Sequence, residues 1–283
     1  YTLSLHDALP ICEDPHLISA LCVPYIQGVQ VNGVAACIKH MALNNQEHNR
    51  NFINVNISKR ALHEIYLPGF KAAVQQGKAW TLMGAYNKLN GQYCSHNEYL
   101  LNKTLKEDWR FDGVVISDWG GTHDTFEAVE YGLDLEMGSH VKHTAPFTPG
   151  IYDKYYLAKD YLIGIRENKF SIDKLNDKVR RLLKLNFRTA MNTDKPFGSM
   201  NTREHAEVAL KVAEEGIVLL KNSDQILPLN FNQIKTIAII GDNATRNFAK
   251  GGGASGLKAR YEISPLEGIQ KAIPESAQLL YAQ

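Results

Sequence analysis

Polar or charged side chains follow four short apolar runs of the sequence, at the point where each run ends. The runs end at Lys39-His40, at Tyr86, at Asp118 and at Glu136. Because the carboxyl ends of parallel strands open to solvent at one edge of a sheet, we expect these side chains to gather there. A carboxylate in such a place can act as a nucleophile, an acid or a base.

Asp118 is the most informative of these positions. The run V-V-I at 114–116 is β-branched and follows a glycine, which predicts a short buried strand. Asp118 lies just beyond it, and W-G-G follows directly. On this stretch alone, Asp118 could equally cap the helix that comes next.

The elements around these positions alternate between strand and helix. Ser58 is the expected N-cap of a long helix, and Pro68 should kink that helix. The alternation predicts a parallel sheet with right-handed crossovers, as in a (β/α)8 barrel, although a doubly wound open sheet would also place its site at these strand ends. We expect strands over 34–38, 80–85, 114–116 and 133–135, and helices over 16–30, from 58 past 74, 97–109 and 122–131.

Further along the chain, helices are expected over 151–168 and, from an N-cap at Ser171, over 172–191. The stretch T-D-K-P-F-G-S-M-N is rich in turn formers and marks a linker over 193–203. Beyond it, a helix running into a strand near 217–222 and a strand over 235–241 begin a second α/β unit. A barrel of this type needs about 250 residues. We therefore expect a truncated (β/α)8 TIM-type barrel over 12–192 and an incomplete α/β sandwich over 204–283.

The first eleven residues, Y-T-L-S-L-H-D-A-L-P-I, look like the translation of a sequencing-library adapter. We exclude them from the fold reasoning. On this interpretation the natural N-terminus, with any localisation signal, lies upstream. For a bacterial source we expect a periplasmic or secreted protein rather than a cytoplasmic one.

Composition excludes several classes of protein. The 283 residues are 44% hydrophobic with a net charge of +1, which argues against nucleic acid as a partner. No apolar run has the length of a membrane span. The four cysteines show no C-x-x-C spacing, and Cys37 is expected to be a buried free thiol. G-G-G-A-S-G at 251–256 matches G-x-G-x-x-G, but it does not follow a strand directly or open a helix, so we interpret it as a flexible loop.

Three longer motifs carry a family resemblance: K-H-M-A-L-N-N-Q-E-H-N-R at 39–50, M-G-A-Y-N-K-L-N-G at 83–91 and V-V-I-S-D-W-G-G at 114–121. Together they resemble the β-glucosidase branch of glycoside hydrolase family 3. The likeness extends from E-D-P at 13–15 to S-P-L-E-G-I at 264–269.

The resemblance implies roles for particular residues. Asp118, in S-D-W, matches the family's catalytic nucleophile. The other matches would bind the sugar next to the cleaved bond. Lys39 and His40 would hydrogen-bond its hydroxyls, Arg50 would lie close to the nucleophile, and Trp119 would flank the ring. The same resemblance places Met83 and Tyr86 in the pocket lining, although Met83 could equally be plain packing.

These roles agree with what glycoside chemistry requires. A retaining glycosidase needs one ionised carboxylate to attack the anomeric carbon and a second carboxyl about 5–5.5 Å away as acid and then base. An arginine and a tyrosine near Asp118 would favour its ionised form. The family's glutamate that acts as acid/base lies well downstream of the Gly-rich segment, and we find no candidate for it. Glu136 does not match it.

The sequence therefore predicts a retaining, exo-acting β-glucosidase, present as a fragment with the nucleophile half of the site. Its partner would be a small β-glucoside or oligosaccharide, and no metal or organic cofactor is implied. Within the family the alternative is a β-xylosidase. A β-N-acetylglucosaminidase is disfavoured because K-H-M-A-L-N-N-Q replaces that branch's loop. Outside enzymes, the alternatives are a silent sugar-binding fragment and, less favoured, a nucleotide-binding protein.

Overall fold

The computed structural model describes residues 3–4, 13–138, 151–196, 198–248, 256 and 258–283. Most of the Gly-rich segment 251–256 and of the first eleven residues therefore lies outside the described residues, as does Cys12. The chain divides into two compact units, residues 1–198 and 199–283.

A parallel sheet forms the centre of the first unit. Its strand order is β1-β2-β4-β7, and an isolated parallel bridge between Ile116 and Leu135 extends it by one position. The predicted strand over 133–135 is thus reduced to a single bridge. A smaller sheet has the order β3-β5-β6. The strands are β1 (Leu3–Ser4), β2 (Ala36–Met41), β3 (Asn54–Val55), β4 (Thr81–Gly84), β5 (Lys88–Leu89), β6 (Gln92–Tyr93) and β7 (Val114–Ile116).

Helices connect the strands of the large sheet, as the alternation predicted. The predicted N-caps form: the side chain of Ser58 accepts a hydrogen bond from the Ala61 N–H, and that of Ser171 accepts one from the Asp173 N–H. The α-helices are α1 (Pro15–Gln30), α2 (Lys59–Ala61), α3 (Pro68–Gln75), α4 (Thr125–Glu130), α5 (Lys159–Arg166) and α6 (Ile172–Arg188). None of the described helices is both long and apolar enough to cross a membrane.

Three helices depart from the sequence prediction. The helix expected over 151–168 divides into a 3-10 turn over Ile151–Lys154 and α5, which begins only at Lys159. The helix beginning after Ser58 widens into a π-helical turn over Leu62–Tyr66 before α3 starts at Pro68. Proline has no N–H to continue the ladder but fits the first turn of a new helix, so the break falls there. The segment predicted as helix over 97–109 is π-helical over Glu98–Asp108, with Asn97 as its N-cap.

The core of the first unit lies between the large sheet and its helices. Ile26 of α1, Ile38 of β2, Leu82 of β4 and Val115 of β7 are fully buried in one cluster. Cys37 is buried and free, as predicted, and burial raises the pKa of its thiol to about 11. This packing fixes the sheet and leaves the strand ends to carry polar groups.

The second unit contains the helix α7 (Arg203–Gly216), the parallel strands β8 (Thr236–Ile240) and β9 (Gln278–Ala282), and the helix α8 (Pro265–Ala272). The predicted strand near 217–222 was wrong, because these residues form no strand. Leu220 is 92% exposed, and a strand needs a neighbour to accept its backbone hydrogen bonds.

Candidate active site

Three neighbouring strands of the large sheet bring polar side chains together beyond their carboxyl ends. Asp118 follows β7, Tyr86 follows β4 and His40 lies near the end of β2. The Nε2 atom of His40 is 3.2 Å from Oδ2 of Asp118, and Tyr86 also hydrogen-bonds the carboxylate. The expected gathering of these strand-end residues is therefore present in the structure.

The surroundings of Asp118 keep its carboxylate ionised. The residue is only 7% exposed, and burial by itself raises the pKa of a carboxyl. Hydrogen bonds from His40, from the Trp119 N–H at 2.8 Å and from Tyr86 outweigh this effect, and the pKa of Asp118 lies below its ordinary value. A buried, ionised and hydrogen-bonded carboxylate at a strand end can serve as a nucleophile.

Asp118 does not cap the following helix. The N-cap of α4 is Asp124, whose Oδ1 accepts from the Glu127 N–H at 2.8 Å. Oδ1 of Asp118 accepts from the N–H of the next residue, Trp119, instead. The capping alternative for Asp118 is therefore wrong.

Tyr86 contacts the Asp118 carboxylate directly, and Arg50 lies against the Tyr86 ring. Burial and then the neighbouring Asp118 raise the pKa of Tyr86 far above its ordinary value, so its hydroxyl stays protonated and donates. The Arg50 guanidinium lies 4.7 Å from the centre of the Tyr86 ring and 2.5 Å from Oε2 of Glu47. Arg50 thus reaches the site through Tyr86 in this structure.

The remaining predicted binding residues differ in their surroundings. Lys39 is buried in β2, directly before His40. Met83 packs against a small apolar cluster that includes Val114, and a contact with ligand stays a prediction. The Trp119 side chain is 52% exposed, as a ligand-contacting ring would be.

Trp119 depends on a glycine for its position. A Cβ added at Gly138 would lie 2.7 and 2.8 Å from two carbons of the Trp119 ring, and Gly138 has φ of +37°. The Gly120 N–H also donates to the Met137 carbonyl at 3.1 Å. The indole therefore lies directly over the backbone that follows Glu136.

Glu136 is held by the backbone of another segment. Its Oε2 accepts a hydrogen bond from the Leu157 N–H at 2.7 Å. This contact gives Glu136 a role in placing the chain after residue 150. That Glu136 is not the acid/base stays a prediction.

Sequence reasoning missed several groups at this edge. A cavity of about 510 Å³ opens beside His40, and Asn44, Asn45 and Tyr66 contribute polar atoms to its wall. Behind the Asp118 loop, His96 is fully buried, and its only sequence signal was a histidine in a polar turn. Among the described residues, no group of three or more His, Cys, Asp or Glu side chains could hold a metal ion.

Comparison with protein families gives two matches along the chain. Residues 11–185 match the Glycosyl hydrolase family 3 N terminal domain, and residues 217–282 match the Glycosyl hydrolase family 3 C-terminal domain. The first match alone covers more than half of the chain.

Individual proteins show the same likeness. The chain is 54% identical over 276 residues to Beta-glucosidase BoGH3A of Bacteroides ovatus, which covers 96% of this chain and 37% of that protein. It is 40% identical to Thermostable beta-glucosidase B of Acetivibrio thermocellus, covering 96% of this chain and 34% of that protein. The chain therefore spans about a third of the length of these curated relatives.

Solved structures agree with the sequence comparison. Beta-glucosidase 3B from Thermotoga neapolitana in complex with glucose superposes with a TM-score of 0.82 at 36% identity, over 94% of this chain and 36% of that one. D2-BGL, a beta-glucosidase from Chaetomella raphigera, superposes with a TM-score of 0.84 at 28% identity, over 99% of this chain and 43% of that one. These likenesses confirm the predicted fold class, part of a (β/α)8 barrel followed by an α/β unit.

Proposed function

The chain belongs to glycoside hydrolase family 3, and we propose that it carries the nucleophile half of a retaining, exo-acting β-glucosidase site, with Asp118 as the nucleophile. The observation that carries this proposal is the state of Asp118. Its carboxylate is buried, kept ionised and hydrogen-bonded by groups from two neighbouring strand ends. The relatives named as beta-glucosidases support glucose as the sugar.

The reaction would proceed by double displacement. An oxygen of Asp118 attacks the anomeric carbon, the bond to the leaving oxygen breaks, and a carboxylic acid elsewhere in the complete site gives that oxygen a proton. In the second step water gives a proton to the carboxylate that acted as acid and attacks the same carbon, the bond from that carbon to Asp118 breaks, and the sugar is released with both carboxyl groups restored. No step in this scheme uses a metal or an organic cofactor.

The residues around Asp118 suit a hydroxyl-rich ring. His40 and Tyr86 hydrogen-bond the Asp118 carboxylate and so fix its position relative to the anomeric carbon that it attacks. Lys39 and Arg50 supply donors for sugar hydroxyls, and the exposed Trp119 ring offers an apolar face for the ring carbons. A small β-glucoside or a terminal glucosyl residue is the substrate class that this set fits.

Covalent labelling tests the proposal directly. The chain is incubated with a 2-deoxy-2-fluoro-β-glucoside that bears a dinitrophenyl leaving group, and the label is located by peptide mass spectrometry. This leaving group departs without a proton, so the assay depends on the nucleophile alone. We expect one glucosyl adduct, on Asp118, which would also establish the retaining mechanism.

Two variants make the assay specific. Asp118→Asn should abolish the label, whereas Asp224→Asn, which changes an exposed aspartate of the second unit, should leave it unchanged. A label on another residue, or no label on a chain that circular dichroism shows to be folded, would contradict the assignment. Faster labelling by the 2-fluoro-xyloside would move the substrate to β-xylosides.

A further inference from the structure

The loop over 119–124, which joins Asp118 to α4, is held from behind by a buried histidine. His96 is fully buried, and its Nε2 atom accepts a hydrogen bond from the backbone N–H of His123 at 3.1 Å. Its Nδ1 atom lies 2.7 Å from Oε2 of Glu127, a close polar contact whose direction departs from an ideal hydrogen bond. Both ring nitrogens thus face one stretch of chain.

The contacts of His96 fix its tautomer. A backbone N–H can only donate, so the Nε2 atom that receives it from His123 carries no proton. In the neutral ring the proton is then on Nδ1, the atom that faces the Glu127 carboxylate. The ring therefore accepts from the loop on one side and presents a proton to α4 on the other.

The turn that carries His96 also touches the backbone around Asp118. In the 3-10 turn Cys94–His96, Ser95 lies so close to two glycines that neither could carry a side chain unchanged. A Cβ on Gly84 would be 2.7 Å from the Ser95 Cα, and one on Gly121 would be 3.0 Å from its Oγ. The Gly121 N–H in turn donates to the Asp118 carbonyl at 3.0 Å. The turn is thus linked to the backbone of Asp118 through Gly121.

We propose that His96 is a positioning residue for the reaction at Asp118: with Glu127, it holds the loop over 119–124 in the conformation that places Asp118 and Trp119. The effect of His96 on catalysis rests on the proposed function. The contact of His96 with the loop does not, because that contact is the hydrogen bond from the His123 N–H to His96.

Hydrogen exchange tests the loop contact without any sugar. In His96→Leu the ring acceptor is gone, and we expect the His123 amide, followed in peptides covering 119–124, to exchange about tenfold faster or more than in the original chain. In His96→Gln the amide oxygen can accept in place of Nε2, and exchange should return toward the original rate. His16→Gln, which changes an exposed histidine of α1, is the matched control and should change nothing.

The labelling assay then tests the consequence for the reaction. We expect His96→Leu to lower the limiting rate constant for glucosylation of Asp118 by about tenfold or more, with a smaller change in the half-saturating reagent concentration. His96→Gln should recover most of that rate. If the original chain takes no label, the proposed function fails, and hydrogen exchange still decides whether His96 holds the loop.

Three results would overturn the proposal. The first is normal loop protection in a folded His96→Leu chain. The second is a Gln variant as impaired as the Leu variant. If His96→Leu unfolds throughout, the tautomer in the original chain decides, read from nitrogen NMR of labelled histidine. A proton on Nδ1 of His96 supports the hydrogen bond from His123 to Nε2, and a proton on Nε2 refutes that hydrogen bond and the proposal with it.

Discussion

Replacing His40 with phenylalanine keeps a ring of similar shape but removes the hydrogen bond to Asp118. The carboxylate stays buried, so the effect of burial, which raises its pKa, loses its largest opposing contribution. A hydrogen bond to a charged group contributes about 1.5–3 kcal/mol, and about 1.4 kcal/mol corresponds to one pH unit. We therefore expect the pKa of Asp118 to rise and the acid limb of labelling to move up by about one pH unit or more.

The assay is the limiting rate constant for glucosylation of Asp118, measured at saturating reagent across the acid range. Only the ionised carboxylate attacks, so the acid limb follows the ionisation of Asp118 in the complex. Tyr86→Phe is the matched comparison, because Tyr86 also hydrogen-bonds Asp118 but contributes less to lowering its pKa than His40 does. Its limb should move in the same direction by a smaller amount.

Either of two outcomes would refute this reasoning. An acid limb at the same pH in His40→Phe would mean that His40 does not stabilise the charged form of Asp118. A larger displacement in Tyr86→Phe than in His40→Phe would reverse the order of the two contributions. Slower labelling with an acid limb at the same pH would place His40 in sugar binding alone.

Three further predictions concern stability and binding. Lys178 is buried and donates to three backbone carbonyls at and beyond the end of α4, so Lys178→Met should lower the free energy of unfolding by about 2–4 kcal/mol in urea titrations. The control Lys174→Met changes an exposed lysine and should change this free energy by less than about 1 kcal/mol. Burial lowers the pKa of His123 to about 4; the unfolded chain therefore binds a proton that the folded chain does not, and the free energy of unfolding should fall by about 1–2 kcal/mol between pH 6.5 and 4, with His123→Gln reducing that loss. Gly138→Ala should displace the Trp119 indole and raise the half-saturating reagent concentration about threefold to tenfold, with a change in tryptophan fluorescence; Gly216→Ala, where an added methyl meets nothing within 4 Å, is the control, and equal behaviour of the two variants would contradict the contact.

Local chemistry made much of this fold predictable. The β-branched run before Asp118 forms β7, and the caps at Ser58 and Ser171 form as their side chains require. The convergence of His40, Tyr86 and Asp118 could also be predicted, because parallel strands end at one edge. These features depend on short stretches of sequence and on a general rule of sheet geometry.

Other features depend on partners that are distant in sequence. The spacing of apolar residues over Glu98–Asp108 also fits an α-helix, so periodicity alone could not show that this helix is π-helical. The run over 217–222 has strand-forming residues, but it has no strand partner among the described residues and stays irregular. His96 gave little signal, because its importance comes from the His123 backbone 27 positions away.

The register of β2 explains why His40 reaches Asp118. Ile38 pairs with Leu82 and Met41 pairs with Gly84, so β2 has one more residue than β4 between these pairs. Side chains alternate between faces along a regular strand, and an extra residue changes the face that the following side chains present. Lys39 and His40 lie within this irregular stretch, so alternation counted from Ile38 could not assign their directions. Bulges often redirect side chains next to active sites, and here the irregularity ends with His40 Nε2 at 3.2 Å from the Asp118 carboxylate. The convergence of these strand ends could therefore be predicted from the sequence, whereas the irregularity in β2 that turns His40 towards the carboxylate could not.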